Sequence, residues 1–140
     1  MPFDPDCVFC KIVRGEIPAA KVLETPTAIA FLDIHPIAAG HTLLATKEHY
    51  PTVSDVPAEV MGAVAKELPR LAQAVLKASG APALNVIINS GRESGQEVPH
   101  LHFHLLPRQA GDAVRVRWPR QKYPGDEMEQ VRRRIAEAVG

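Results

Sequence analysis

The chain has 140 residues, of which 46% are hydrophobic and 23% charged, and this composition is typical of one soluble globular domain spanning residues 1–140. Sixteen basic residues balance sixteen acidic ones, so no excess charge favours binding to a nucleic-acid backbone or docking on an anionic membrane. A small nucleotide stays possible as a ligand, because it needs only a local site.

The N-terminal segment predicts a cytoplasmic protein. Residues 1–6 lack the basic start and apolar core of a signal peptide, and the sequence has no apolar run of membrane-spanning length. In that compartment the two cysteines, Cys7 and Cys10, are not expected to form a structural disulfide.

A Cys-x-x-Cys motif, Cys7 to Cys10, opens the folded part of the chain. Such a pair is typical of half a zinc site or of a redox site. Redox folds place the pair after a strand, whereas only six polar and proline-rich residues precede this one, so we favour zinc with two further ligands. Two cysteines that merely pack together are the plain alternative. A short helix is expected to follow as far as Arg14, with Gly15 ending it.

Alternating apolar residues then predict an antiparallel meander of three strands, over 21–25, 28–32 and 41–46. A helical spacing of apolar residues predicts a long helix over 57–78, with a kink or break near Lys66 caused by Pro69.

The C-terminal half continues with a fourth strand over 83–89, a glycine-containing loop and a histidine-rich strand over 100–106. An extended segment is expected over 114–118 and a terminal helix over 126–139. This order predicts an α+β fold: a five-stranded antiparallel sheet with a long helix on one face and the histidines on the other.

Three histidines occupy alternate positions of the histidine-rich strand: His100, His102 and His104. In one extended strand their side chains share a face, with neighbours about 6.5–7 Å apart. A solvated strand face that happens to contain histidines is the plain alternative. Half of the six histidines at strict alternation instead favours a site.

A glycine-containing loop leads into this row and is a candidate phosphate site. Gly91 and Gly95 allow tight turns that aim backbone N–H groups inward, and Asn89 stands at the start of the loop. An imidazole can attack phosphorus directly and form a phospho-histidine, for which the central His102 is best placed.

Metal binding is the second chemistry that these residues allow. Cys7 and Cys10, with His49 and His100, would make a closed four-ligand structural zinc site. In a different type of site, His102 and His104 would hold a catalytic metal that activates water, with Glu97 as the nearby candidate for a third ligand.

The histidine row resembles the motif of the histidine-triad (HIT) family, in which histidine and apolar residues alternate. Similarity runs from about Cys7 to Arg108, and the Cys-x-x-Cys start resembles the zinc-bearing bacterial-type members. Residues 109–140 match the family poorly, and we expect them to set substrate selectivity. The segments that carry the resemblance are His100–Leu106, Asn89–Gly91, Gly95–Pro99, Phe31–Pro36, Gly40–Leu43 and Lys47–His49.

The resemblance implies a homodimer whose two sheets join, and hydrolysis or transfer of purine nucleoside monophosphate groups. It implies His102 as the nucleophile that forms a nucleotidyl-histidine, His104 at the α-phosphate and Asp33 at the ribose hydroxyls. The other implied phosphate contacts are Asn89 and the backbone of Gly95, Gln96 and Glu97. The implied walls of the base site are Val8, Phe9, Ile12, Phe31 and Ile34. The implied zinc ligands are Cys7, Cys10, His49 and His100.

Glu97 departs from the family pattern, since many eukaryotic members carry serine or threonine beside the leaving group. A carboxylate there either repels a phosphate or, when protonated, donates to it.

Three functions therefore stand as hypotheses. The first is a nucleotidyl hydrolase or transferase acting on phosphoramidates, adenylates or dinucleoside polyphosphates. The second is a purine nucleotide-binding module with little turnover that acts through a protein partner. The third is a metal-dependent hydrolase.

Overall fold

A computed structural model describes residues 3–115 and 118–140. The fourth and fifth strands are joined by a loop that contains a one-turn 3₁₀ helix, Arg92–Ser94. The remaining elements are α1 Val8–Val13, β1 Lys21–Glu24, β2 Ala28–Leu32, β3 Thr42–Thr46, α2 Ala58–Ala65, α3 Leu68–Ser79, β4 Ala83–Ile87, β5 His102–Arg108 and α4 Glu127–Val139.

The five strands form one antiparallel sheet in the order β1-β2-β3-β5-β4, which confirms the predicted α+β class. Strand β5 lies inside the sheet because β3 pairs with one of its edges and β4 with the other. In the β3–β5 ladder, His102 lies opposite Ala45 and His104 lies opposite Leu43. The functional strand is therefore held by hydrogen bonds on both sides.

The two faces of the sheet carry two separate apolar clusters. Phe103 and Leu105 of β5 pack on the face covered by α2 and α3. Ile29, Phe31 and Leu43 belong to the opposite face, which α1 covers. Side chains alternate along a strand, so His102 and His104 share the α1 face with their partners Ala45 and Leu43.

The predicted long helix is interrupted at the expected place. Helix α2 ends at Ala65 and α3 begins at Leu68, so the break falls at Lys66 and Glu67. Pro69 lies in the first turn of α3, where a missing backbone N–H leaves no helical hydrogen bond unmade. Gly80 ends α3 with a φ of 69°.

The prediction that all three histidines lie on one continuous strand is wrong. Strand β5 begins at His102, and His100 lies in a bend before it. Pro99 has no backbone N–H, and the N–H of His100 donates to the carbonyl of Val98 at 2.8 Å. The backbone therefore joins the ladder only after His100, and the ring of His100 points in a different direction from those of His102 and His104.

The fourth strand is also shorter than predicted, since β4 ends at Ile87 and leaves Asn89 in the loop. Of the predicted extended segment 114–118, residues 116 and 117 lie outside the described residues, and Val114 and Arg115 are in no strand. Helix α4 forms as predicted and has no buried residue. Within residues 3–115 and 118–140, no helix combines the length and apolar character needed to cross a bilayer.

Candidate active site and metal centre

An open cavity of about 570 Å³ lies on the α1 face of the sheet. Its walls come from α1, from β2 and the loop after it, and from the loop before β5. Every residue predicted to contact substrate lines this cavity except Gln96, and both predicted catalytic histidines line it too. The tertiary structure thus brings together residues that lie more than ninety positions apart in sequence.

His102 is buried on the cavity floor, and its ring is held by a hydrogen bond to the backbone. Its Nδ1 lies 2.6 Å from the carbonyl oxygen of His100, which can only accept, so Nδ1 carries the proton. The Nε2 atom therefore has a free lone pair. The ring of Phe9 contacts that of His102 edge to face at 5.0 Å between centroids. Burial lowers the pKa of His102, which keeps the imidazole neutral and nucleophilic.

His104 is held by a histidine that the sequence analysis did not assign a role. The Nδ1 of His41 accepts the backbone N–H of Ile37 at 3.2 Å, so its proton must lie on Nε2. That Nε2–H lies 2.9 Å from Nδ1 of His104 and donates to it. The proton of His104 is consequently on its own Nε2. Burial, with His102 and His41 nearby, lowers the pKa of His104 to about 4.

His41 is fully buried at the start of β3, although histidine rarely occupies such a position without a partner. The sequence signal was the polar residue directly before the apolar strand 42–46. That signal could not identify the partner, because His41 and His104 are 63 residues apart.

Asp33 completes this group of polar side chains. One of its oxygens accepts the backbone N–H of His35 at 2.9 Å, and the other lies 3.7 Å from Nδ1 of His41. The carboxylate, with His41 and His104, forms a set of potential metal ligands within 4.8 Å of one another. However, the facing nitrogens of the two histidines are at hydrogen-bonding distance, and their ring centroids are 5.2 Å apart. The lone pair of His104 is thus already used.

The alternative of a catalytic metal held by His102 and His104 lacks ligands. Among the described residues, neither cluster of potential ligands includes His102. The Nδ1 atom of His102 is also turned to a carbonyl. The chemistry that these two rings support is nucleophilic attack by the imidazole of His102 and hydrogen-bond donation by that of His104.

The loop before β5 is braced by the side chain of Gln96. Its Oε1 accepts the N–H of Gly91 at 2.8 Å, and its Nε2 donates to the carbonyls of Pro51 at 2.7 Å and Val98 at 3.0 Å. Gln96 therefore has no free side-chain group for a ligand, which leaves only its backbone for the predicted contact. Gly95 has a φ of 100°, a conformation that favours glycine, and it lines the cavity beside Asn89.

The end of the cavity formed by α1 and β2 is apolar. The rings of Phe9 and Phe31 meet edge to face at 5.3 Å and form its inner wall. Val8 and Ile12 extend this wall along α1. Ile34 is 82% exposed in the loop after β2 and forms an outer lip. A flat, partly apolar ring fits such a slot.

Four buried ligand atoms meet beside this cavity, at the start of α1. They belong to Cys7, Cys10, His49 and His100, and all lie within 4.8 Å of one another. The Sγ–Nδ1 distances are 3.3 Å for Cys7 and His100, 3.4 Å for Cys10 and His49, and 3.6 Å for Cys10 and His100. A tetrahedral site with Zn–S of about 2.3 Å and Zn–N of about 2.0–2.1 Å places S and N about 3.5 Å apart.

The surroundings of these four residues also fit zinc. The Nε2 of His100 donates to the carbonyl of Thr46 at 2.7 Å, which leaves Nδ1 to face the sulfurs. Asp4 lies 3.8 Å from Nε2 of His49, the position of an outer-shell carboxylate. Burial raises the pKa of the Cys10 thiol to about 11 and is the main cause that lowers the pKa of His100 to about 4. A bound cation would reverse this preference for neutral thiols.

Comparison with known proteins identifies the family. The family model described as HIT domain matches residues 14–111, well over half of the chain. The chain belongs to the HIT family. The matched region of this HIT protein includes the cavity-lining strands and His49, whereas Cys7 and Cys10 precede it.

Named relatives include enzymes that act on adenylyl compounds. The HIT protein is 38% identical over 133 residues to the adenosine 5'-monophosphoramidase of Saccharomyces cerevisiae, covering 94% of this chain and 82% of that protein. It is 39% identical to an adenylylsulfatase of Arabidopsis thaliana over 78% of this chain, but this spans only 55% of that protein. A solved HIT-family structure from Bacillus subtilis superposes with a TM-score of 0.88 at 34% identity, covering 94% of this chain and 96% of that one.

Proposed function

We propose that this HIT protein is a nucleotidyl hydrolase or transferase that acts through a covalent nucleotidyl-histidine on His102. One observation carries the proposal: the carbonyl of His100 fixes the His102 proton on Nδ1, and the neighbouring His104 carries its own on Nε2. The two rings are 4.8 Å apart between centroids, and both line the cavity. A nucleophile and a proton donor therefore adjoin one phosphate-sized space.

In the first step, Nε2 of His102 attacks the α-phosphorus of a nucleoside monophosphate derivative. A new N–P bond forms, the bond from phosphorus to the leaving group breaks, and the leaving atom takes up a proton from solvent when it departs as an amine. The Nε2–H of His104 stabilises the charge on a non-bridging oxygen. In the second step, water attacks phosphorus, the N–P bond breaks and one proton is released with the nucleoside monophosphate.

The rest of the cavity supports a nucleotide as the substrate. Phe9 and Phe31 offer faces and edges for a purine ring. The Oδ2 atom of Asp33, which does not accept the N–H of His35, is available to ribose hydroxyls. Asn89 and the backbone from Gly95 to Glu97 are available to the phosphate. The names of the yeast and plant relatives, a phosphoramidase and an adenylylsulfatase, support adenylyl compounds.

We further propose a structural zinc held by Cys7, Cys10, His49 and His100. The sulfur–nitrogen distances and the outer-shell contacts of His100 and His49 support it. The metal would tie α1 to the bend before β5 and so hold the first residue of the triad in place. It would supply no chemistry to the reaction.

A cytoplasmic homodimer is also proposed, with the sheet continuing across the dimer axis through β4. Strand β4 is one edge of the sheet, and Val86 on it is 46% exposed. The other edge, β1, is interrupted by an irregularity between Lys21 and Leu23 and flanked by charged side chains, features that prevent strand pairing. The smoother β4 edge is the better one for a second copy.

Replacing the proposed nucleophile tests the reaction directly. In the variant His102→Ala we expect turnover of adenosine 5'-phosphoramidate to fall by at least about a thousandfold, because no other group can form the intermediate. AMP affinity, measured by calorimetry, should change only a few-fold, since the apolar slot and Asp33 remain. Full activity in this variant contradicts the proposal. Retained AMP binding by a wild-type protein with no turnover would instead support the nucleotide-binding module.

A further inference from the structure

Glu97 is held at a fixed place on the cavity wall. The residues on both sides of it are tied down: the Gln96 amide bonds to three loop carbonyl or amide groups, and the Val98 carbonyl accepts from both Gln96 and His100. The Glu97 side chain lines the cavity and is exposed to solvent. The charge of Glu97 is therefore close to any ligand that reaches this wall.

The charges on the described lining residues are unbalanced. Asp33 and Glu97 are the acidic groups of the lining, and no lysine or arginine is among the lining residues that the structure describes. Nδ1 of His104 accepts a hydrogen bond from Nε2 of His41, so the ring of His104 carries a single proton and no positive charge. A chain of several phosphates would thus find neutral donors here, but no cation to offset its charge.

The leaving group lies towards Glu97 if the nucleoside binds in the apolar slot. That slot is built from α1 and β2, and Asp33 directly follows β2. Attack on phosphorus proceeds in line, with the leaving atom opposite the attacking nitrogen. The remaining polar wall, formed by Asn89, Gly95 and Glu97, is then the wall that the leaving group approaches.

We propose that Glu97 is a specificity-determining residue that selects substrates by the charge of the leaving group. The carboxylate favours leaving groups that carry a positive charge, such as a diamine joined to the phosphate through one nitrogen. It disfavours leaving groups that are themselves phosphate chains, as in dinucleoside polyphosphates. This inference rests on the proposed nucleotidyl transfer to His102, and it assigns to Glu97 a role in discrimination and not in the chemical step.

The expected effect is electrostatic and moderate. Removing one unit charge about 6 Å from a charged group changes a rate by about threefold in bulk water and about a hundredfold near a protein surface, so we expect about tenfold at this exposed position, where salt weakens the effect. A purely structural role for Glu97 would lower all rates together. A charge-selecting role changes the ratios between substrates of different charge.

The test uses three probes and two variants of the full chain. The probes are AMP joined through nitrogen to 1,2-diaminoethane, AMP joined through nitrogen to propylamine, and diadenosine triphosphate. The first two have leaving groups of nearly the same size but different charge. The variants are Glu97→Gln and, as a matched control, Glu93→Gln, which removes an exposed carboxylate from the same loop that does not line the cavity.

We expect the wild type to prefer the diamine to the propylamine probe in kcat/KM, and this preference to shrink about tenfold in Glu97→Gln at low salt. The same variant should gain activity on diadenosine triphosphate, while Glu93→Gln should behave as the wild type. Unchanged ratios in Glu97→Gln, with normal turnover of the propylamine probe, would overturn the inference alone. No turnover of any probe by the wild type would overturn the proposed function instead.

Discussion

At the scale of single residues, the site depends on which nitrogen of each histidine carries the proton. The carbonyls of Thr46 and His100 fix the protons of His100 and His102, and His41 fixes that of His104. His100 thereby presents the lone pair of Nδ1 to the two sulfurs. His102 presents the lone pair of Nε2 to the cavity, and His104 presents its Nε2–H to the cavity. The three histidines are one residue type, and we propose a different function for each of them.

Replacing His41, for which no role was predicted from the sequence, tests this arrangement. In His41→Ala the donor to Nδ1 of His104 is lost, so the His104 proton is no longer confined to Nε2. We expect kcat to fall about a hundredfold, the usual loss when one hydrogen-bond donor to a developing charge is removed, with AMP affinity nearly unchanged. The measurement is steady-state turnover of adenosine 5'-phosphoramidate together with calorimetric AMP binding.

His41→Gln provides the matched comparison, because a glutamine amide can donate to the same nitrogen. Partial recovery of kcat in this variant supports the proton-positioning role. Equal loss in both variants, with equal loss of thermal stability, would mean that His41 acts only by filling space.

At the scale of secondary-structure elements, the short helix α1 depends on contacts with the rest of the fold for its stability. It has six residues, too few for stability on its own. Cys10 in this helix and Cys7 directly before it face His49 and His100, and Phe9 packs against Phe31 and His102. The start of this helix thus carries two of the proposed zinc ligands, part of the proposed base wall and a support for the proposed nucleophile.

Removing the proposed zinc should therefore destabilise α1 and the part of the cavity wall that this helix forms. We expect a strong chelator to lower the melting temperature of zinc-loaded protein by about 10 °C, because the binding energy of a structural zinc is folding energy. Scanning calorimetry with metal analysis of the same sample measures this. Cys10→Ser should melt lower than the wild type and respond little to the chelator. Purified protein that contains no zinc and melts unchanged with chelator would contradict the zinc proposal.

At the scale of the whole molecule, the main apolar core and the cavity lie on opposite faces of the sheet. One face packs β5 residues Phe103 and Leu105 against α2 and α3, and this face holds the main apolar core. The other face carries the cavity and the zinc-type cluster. Since β5 is an interior strand, substitutions on its α1 face can change the chemistry while the helices on the opposite face keep the strand in place.

The two edge strands, β4 and β1, are expected to differ in their role in dimer formation. A lysine at an exposed edge position discourages pairing with another strand. We therefore expect Val86→Lys on β4 to shift the protein from dimer to monomer in analytical ultracentrifugation. Val22→Lys on β1, which is 53% exposed at the opposite edge, should leave the dimer intact. A wild-type monomer, or a dimer that resists Val86→Lys and yields to Val22→Lys, would contradict assembly through β4.

Local patterns in the sequence determined much of this protein. Alternating apolar residues identified five strands, Pro69 identified the break between α2 and α3, and the spacing of His102 and His104 placed both on one face. These features depend on neighbours within a few positions, so they can be recognised without the fold. The resemblance of the histidine row to the HIT motif was local in the same sense.

Only the tertiary structure decided how these parts act on one another. It turned His100 out of the strand towards Cys7, 93 residues away, and brought His41 onto His104. It also engaged the Gln96 side chain in holding its own loop. Proton positions, and with them the division between nucleophile, donor and metal ligand, follow from hydrogen bonds between distant segments. A single hydrogen bond of that kind leaves no periodic trace in a sequence.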